Sequence, residues 1–346
     1  MKIAIINVMA PFIYGGAEFM ADSLCKKFIE YGHAAQVIRF YYSWAKPEYI
    51  LDGIFAARAM WLDNVDRVVA LKFPAYLIPH PDKRLWLVHQ LRQAYELENT
   101  EYDFFQKNDH DQKIKAAIRR CDTRYLKELE GNIFTNSKVV SDRLLKYNGI
   151  SSQVLYPPLI DEELYKMGDY GDYIFYPSRV NRSKRQYLAV EAMRYVKSDV
   201  KLVIAGKGDS PKDESDLFAL IENYQLKDRV VYINRFISQE EKTDLFKDAL
   251  ASIYIPYDED SYGYVTLEAF QAGKAVITAT DCGGTSLVVK DSITGYMTQP
   301  TPQSIAEAMD QMYLNRNKTK EMGMNGLPFL RDLGISWENV VARFTE

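Results

Sequence analysis

Two doubly wound α/β domains in tandem are the fold class this sequence predicts, and three observations predict it. Short apolar runs alternate with helix-period segments along nearly the whole chain. That order belongs to a parallel sheet with helices on both faces. The alternation pauses once, at Tyr156-Pro-Pro158 and the looser polar stretch up to Asp172, and then resumes. A length of 346 residues is that of about two domains.

Taken in order, residues 2–8 read as a buried strand, followed by Gly15-Gly16 and a helical pattern over 18–31 that Gly32 closes. Strands follow at 35–40, 67–70 and 85–88, a helix at 114–130, a strand at 132–135, and a helix at 139–147 ended by Gly149. Prolines at 157 and 158 interrupt both strand and helix, which places the linker there. The second series has strands at 173–176, 200–205, 230–233, 252–255 and 276–278. Its helices are expected at 184–195, 213–224, 239–247, 265–272 and 302–313. Domains are therefore expected over 1–160 and 161–330. An amphipathic stretch within 331–346, carrying Trp337, either docks back on the first domain or lies on the second. In such sheets ligands gather outside the carboxyl ends of the strands.

Composition narrows the function classes. A net charge of -4 argues against an extended nucleic-acid footprint. Three scattered cysteines lack C-x-x-C spacing, which points to a reducing compartment and no zinc site. The first residues read as a strand rather than a secretory signal. No apolar run approaches the roughly 18 residues of a membrane span. Cytoplasmic placement is the expectation, with the inner face of the membrane as a further candidate. A basic stretch at 113–120 (Lys113, Lys115, Arg119 and Arg120) is a candidate membrane contact, and a solvated helix face is its plainer reading.

The chemistry concentrates in Asp260-Ser-Tyr-Gly-Tyr-Val-Thr-Leu-Glu268, two acids eight positions apart at a helix entry between two apolar strands. A helix entered from a buried strand aims its first N–H groups outward and attracts phosphate. Two carboxylates beside such an anion site suit the hydroxyls of a ligand that already carries phosphate. The strand at 173–176 delivers Arg179 and Lys184 in Ser178-Arg-Val-Asn-Arg-Ser-Lys184. A guanidinium grips phosphate oxygens through two bonds and a lysine adds a point charge. A solvated basic loop, with Arg182 and Arg185 alongside, fits that segment as well. Gly206 and Gly208 in Ala205-Gly-Lys-Gly-Asp209 form a strand-end turn with room for close backbone approach. Gly15 and Gly16 do the same after the first strand, and Gly283-Gly284 after the strand at 276–278. His89 ends the strand at 85–88, where it either bonds sugar hydroxyls or is satisfied within its turn. Lys72 ends the preceding strand. Of two acid triplets, Asp109-His-Asp111 reads as a solvated turn, and Asp258-Glu-Asp260 lies beside cations that make a metal unnecessary. No nucleophile elbow of the form Gly-x-Ser-x-Gly is present.

Together these segments resemble the retaining glycosyltransferases of family 4, which have the GT-B architecture of two Rossmann-like, doubly wound domains facing across a cleft. The resemblance rests on Gly15-Gly-Ala-Glu18, Ser178-Arg179 with Lys184, Ala205-Gly-Lys-Gly208, the Asp260 to Glu268 segment, and Gly273-Lys-Ala-Val-Ile277. It implies an acceptor-side first domain and a nucleotide-sugar-binding second domain that closes on its donor. Glu268 would hold the donor ribose and Asp260 the transferred sugar. Arg179 and Lys184 would bind the diphosphate, helped by Gly15, Gly16, Gly206 and the Ser261-Tyr262-Gly263-Tyr264 backbone. The segment from Arg235 to Ile237 would lie on the base, and His89 near the transferred sugar. The catalytic group is thus His89, Arg179, Lys184 and Asp260. Two departures stand out: the family usually has Glu at the position of Asp260, so that either the loop sits closer or Glu259 substitutes, with Asp260 preferred because Glu259 is out of step by one residue, and it has Pro-Glu where Thr285-Ser286 stands.

The implied activity is retaining, metal-independent transfer from a UDP- or GDP-linked sugar to a hydroxyl acceptor, in polysaccharide, glycolipid or glycoconjugate synthesis. No cofactor beyond the nucleotide-sugar co-substrate is expected. The acceptor is a sugar, a lipid-linked or a small molecule. An epimerase or phosphorylase of the same fold and a non-catalytic carbohydrate-binding protein are the alternatives. A dinucleotide-dependent dehydrogenase would need a full glycine fingerprint, which Gly15-Gly16 does not supply.

Overall fold

The computed structural model describes residues 1–12, 14–100, 103–159 and 161–346; Ile160, within the stretch read as linker, lies outside them. The chain divides into two compact units, Met1–Pro158 with Ile335–Glu346, and Leu159–Gly334. Each is a six-stranded parallel sheet with helices between its strands.

The first unit runs β1 (Lys2–Val8), α1 (Gly16–Glu30), β2 (Ala34–Phe40), α2 (Pro47–Ala59), β3 (Arg67–Ala70), β4 (Lys83–Leu87), α3 (Asp109–Lys127), β5 (Ile133–Thr135), α4 (Lys138–Asn148) and β6 (Gln153–Val154). Strand order is β2-β1-β3-β4-β5-β6. β1 and β3 are buried on both faces, which is why consecutive apolar residues, Ile3–Ile6 and Val68–Ala70, dominate them. Side chains set the helix starts: the Asn108 and Ser137 oxygens accept from the Asp111 and Val140 amides at 2.9 and 3.2 Å. Gly149, at φ +67°, ends α4 in the left-handed region.

Two readings of this unit change. Asp109-His-Asp111 is not a turn but the first turn of α3, where acids suit the helix dipole; Asp111 is buried and accepts from the Gln106 amide at 2.7 Å. The basic stretch on the same helix is not a uniformly solvated face. Lys115 turns inward to Asp103 and Glu98, and Arg119 bonds Ala94 O and Glu98.

The second unit runs β7 (Tyr173–Pro177), α5 (Gln186–Ala192), β8 (Lys201–Ala205), α6 (Pro211–Asn223), β9 (Val230–Ile233), α7 (Gln239–Asp248), β10 (Ala251–Ile253), α8 (Tyr264–Gln271), β11 (Val276–Ala279), α9 (Gly284–Val288), β12 (Gly295–Thr298), α10 (Pro302–Leu314) and α11 (Arg316–Asp332). Strand order is β12-β11-β10-β7-β8-β9. The helix expected from residue 184 starts later, because residues 182–184 form a tight turn whose Lys184 amide is capped by Asn181 Oδ1 at 2.9 Å.

The last helix, α12 (Trp337–Thr345), belongs to the first unit. Its Trp337, Val340, Val341 and Phe344 pack with Leu24, Phe28, Trp86 and Phe134. The Phe344 ring lies 5.1 Å from Phe134 and 5.4 Å from Trp86. Arg67 hooks the same helix: Nη1 donates to Phe344 O at 2.6 Å while Nη2 grips Asp82 at 2.8 Å.

Candidate functional site

In the second unit the strand order reverses between β7 and β10. Loops leave those neighbouring strands in opposite directions, and such a switch point is where open α/β sheets bind ligands. Residues nominated on the loops after β7 and β10 meet there. Lys184, from the loop after β7, reaches to the segment after β10. Its Nζ donates to Tyr254 OH at 2.9 Å and pairs with the Glu259 carboxylate. The Tyr257 amide donates to Ser183 O at 2.7 Å and ties the two loops together. Burial pushes the Tyr254 phenol well up, and the Glu259 carboxylate pushes it further.

Arg179 lies at the rim, where Nη1 donates to Asp209 Oδ1 at 2.8 Å with both side chains substantially exposed. Asn181 Nδ2 donates to the other Asp209 oxygen at 2.7 Å. Arg185 has a different part from its basic neighbours. It adopts φ +56° and grips Asp281 through two bonds of 2.9 and 2.7 Å. It is a latch between loops, not a solvated cation.

Glycine geometry shapes the acid loop. Gly263, at φ +66°, stands at the N-terminus of α8, and a Cβ there would meet the Tyr254 ring. Gly263 has no side chain to cap that end; its carbonyl takes the Thr266 amide at 3.1 Å, and the N-terminal end of the helix stays suited to an anion. Ser261 Oγ accepts from the Gly263 amide at 3.4 Å, and the Tyr262 ring is buried beneath. Tyr264 is the first residue of the helix. Gly283-Gly284 allows contact with a neighbouring loop: a Cβ at either position would meet the backbone of Glu259 or Ser261. The Gly284 amide donates to Glu259 O at 2.8 Å. Gly206 has a similar part. Its amide bonds Ile233 O at 3.1 Å, and a Cβ would collide with Ser178 O.

Asp260 and Glu268 are both buried. Glu268, one turn into α8, accepts from Lys242 Nζ of α7 at 2.6 Å. Tyr165 lies beside it, its phenol pushed up by burial and by the Glu268 charge, and it accepts from Gln239 Nε2 at 2.7 Å. The Arg235 guanidinium is taken by Glu241 at 2.6 and 2.7 Å, Ile237 is half-buried, and Phe236 between them is exposed.

The first unit has its own switch point between β1 and β3. There Lys72 Nζ bonds Glu18 Oε1 at 2.9 Å, and the Gly15 amide donates to Glu18 Oε2 at 3.0 Å. Burial raises the Glu18 carboxyl, but Lys72 and the Gly15 amide outweigh it and hold the group below its ordinary value. The Gly15 amide thus serves the helix start; Gly16, with nothing near its missing Cβ, is the more open of the two. His89 is half-buried, with Nδ1 at 2.7 Å from Gln90 O. Beneath it Gln90 Nε2 lies 3.3 Å from Asp122 Oδ2, which also accepts from Tyr95 OH at 2.8 Å. Burial pushes the Asp122 carboxyl up to about 7.

Sequence reasoning missed Tyr254, Asp209, Lys242 and Asp122, and weighed Glu259 only as a stand-in for Asp260. Their partners are distant in sequence, so no local pattern marks them. Glu18 had a signal, an acid three positions after Gly15 at a helix start. Among the described residues no group of three or more His, Cys, Asp or Glu is placed to hold a metal ion, and no helix is long and apolar enough to cross a membrane.

Residues 167–327 match the family model described as glycosyl transferases group 1. An alpha-1,3/1,6-mannosyltransferase of Dictyostelium discoideum is 33% identical over 39% of this chain and 33% of its own length. Its human counterpart is 28% identical over 43% and 38%. The chain thus spans about a third of the length of these two curated relatives. An uncharacterized glycosyltransferase of Methanocaldococcus jannaschii is 24% identical over 90% of this chain and 89% of its own. Among solved structures, sucrose-phosphate synthase of Thermosynechococcus elongatus superposes with a TM-score of 0.76 at 16% identity over 99% of this chain and 96% of that one. Anabaena HepE in complex with UDP and glucose gives 0.71 at 15% over 99% and 98%. The fold these proteins share with the chain is GT-B.

Proposed function

We propose that this chain, whose residues 167–327 match the glycosyl transferases group 1, moves a sugar from a UDP- or GDP-linked donor to a hydroxyl acceptor in glycoconjugate synthesis. The observation that carries this reading is the β7–β10 switch point, where Lys184 bonds Tyr254, the Tyr254 ring packs against Gly263 at the N-terminus of α8, and Glu268 is buried one turn along that helix; Arg179 comes from the same loop as Lys184. Breaking a glycosidic bond to a diphosphate leaves negative charge on the departing oxygen, and cations and amides fixed beforehand stabilise it. Glu268 is assigned to the donor ribose, Asp260 to the transferred sugar, and the segment 235–237 to the base. The aromatic face of Phe236 adds a surface for that base. In the first unit, Gly16 and His89 are assigned to the diphosphate and the transferred sugar.

The proposed stereochemistry is retention, with front-face attack and the departing phosphate taking the acceptor proton. Such a path needs no protein nucleophile, and positioning is the enzyme's main share. We propose no metal requirement, since Arg179 and Lys184 supply the charge a divalent ion would. The acceptor is proposed to be a sugar or a lipid-linked alcohol, met at the inner face of the membrane.

Thermal-shift and activity measurements with UDP-glucose, GDP-mannose and an ADP-sugar test this. One of the first two should raise the melting temperature, because ligand stabilisation follows affinity. Glu268→Gln should reduce that shift. NMR of the product should show the donor's anomeric configuration, and EDTA should leave the rate unchanged. No shift with any nucleotide sugar would overturn the reading.

A further inference from the structure

We propose that Glu259 sets nucleotide affinity: its carboxylate sits on Lys184, and a donor or product diphosphate must displace it. The inference rests on the nucleotide-sugar reading above. Lys184 Nζ holds two partners, Tyr254 OH at 2.9 Å and the Glu259 carboxylate, and Tyr254 OH lies 3.3 Å from the same Glu259 oxygen. The Lys184 and Glu259 side chains are only 17% and 25% exposed. Water and salt therefore screen this pair less than the Arg179–Asp209 pair, at 56% and 36%. Asp209 is easily shed; Glu259 is not.

The backbone under Glu259 is held in place. Its carbonyl accepts from the Gly284 amide at 2.8 Å, and Gly283 is fitted against the same residue. Arg185 on Asp281 fixes the loop that carries both glycines. Only the Glu259 side chain can swing aside. A diphosphate that approaches Lys184 meets a like charge at the same ammonium, and like charges so placed are costly. Glu259 therefore lowers the affinity of Lys184 for any anion and returns to it when the anion departs. In a transferase whose product is a tightly held nucleoside diphosphate, that return speeds release.

A role as a passive brace for Lys184 gives the opposite expectation. Glu259→Gln keeps a carbonyl oxygen for the ammonium and removes only the charge. If Glu259 competes with phosphate, calorimetry with UDP and GDP should show about tenfold tighter binding to Glu259→Gln than to the wild type. Stopped-flow release should slow in proportion, and the donor KM and kcat should fall together. The gain should vanish in Lys184→Ala, which locates the competition at that ammonium. Glu259→Ala serves as a second variant, with a melting curve of each protein as the check on folding. Unchanged or weaker binding by both Glu259 variants, beside measurable wild-type binding, would overturn the proposal and leave the nucleotide site standing. A gain that persists without Lys184 would overturn it too. Failure of UDP and GDP to bind the wild type would overturn both readings at once.

Discussion

Lys184 is held from three directions. Its amide is capped by Asn181 at 2.9 Å, its carbonyl accepts from the Tyr176 hydroxyl, and its ammonium donates to Tyr254 OH at 2.9 Å. A group positioned so tightly needs little reorganisation as charge develops, and such groups contribute on the order of 10²–10³ in turnover. Lys184→Ala should therefore lower kcat by roughly that factor, with a smaller change in donor KM. Arg179→Ala, removing an exposed guanidinium, should cost about tenfold. Steady-state kinetics with varied donor checks both; unchanged kcat in the two variants would remove the phosphate role. At this scale the sequence was legible by type and position, not by partner. Arg179, Lys184 and Arg185 look alike in one basic loop, yet Arg185 is committed to Asp281, 96 positions away. Chain-distant pairing follows from the sheet order, which no local spacing encodes.

Elements were legible where one period dominated. The strands β1, β3 and β8 each carry three or more consecutive apolar residues and the helix α7 has a capping Ser238, so each is visible in isolation. α2, β12 and α11 were not. α11 contains Pro328, Gly323 and Gly326, which read as breakers. The fold explains two of them: a Cβ at 323 would meet Gly273 O, and one at 326 the Phe270 ring, so the helix lies hard against α8 and its exit turn. β12 reads Gly-Tyr-Met-Thr, with no run of aliphatic residues to mark it as a strand. The terminal helix left its docking site open in the sequence, because either domain offers an apolar surface; the facing rings of Trp86 and Phe134 decide it. Phe344→Ala removes a fully buried ring from that contact. It should destabilise the first unit by ~3–5 kcal/mol, seen as an earlier transition in urea unfolding. An unchanged midpoint would mean the helix adds nothing to that core.

For the whole molecule, the arrangement as two doubly wound domains was legible because the alternation of periods restarts after the paired prolines. What stayed hidden is a buried acid. Asp122 is enclosed by Gln90 and Tyr95, and burial moves its carboxyl up to about 7. The folded chain thus keeps a proton there that the unfolded chain releases at ordinary carboxylate pH. Stability from this group is greatest below the unfolded value and declines as pH rises toward about 7, the reverse of a salt-bridged acid. Chemical denaturation at pH 5 and pH 8 should show the first unit more stable at pH 5, and Asp122→Asn should flatten that difference. A slope that survives in Asp122→Asn would assign it elsewhere.

The return of residues 335–346 to the first unit makes Leu159–Gly334 an insertion within it. A ribosome therefore releases the first sheet long before the segment that covers Trp86 and Phe134. During that interval an aromatic face is open to solvent and to other nascent chains, a condition that favours aggregation. Yield in a cell should then depend on chaperone supply during elongation, whatever the stability of the finished protein.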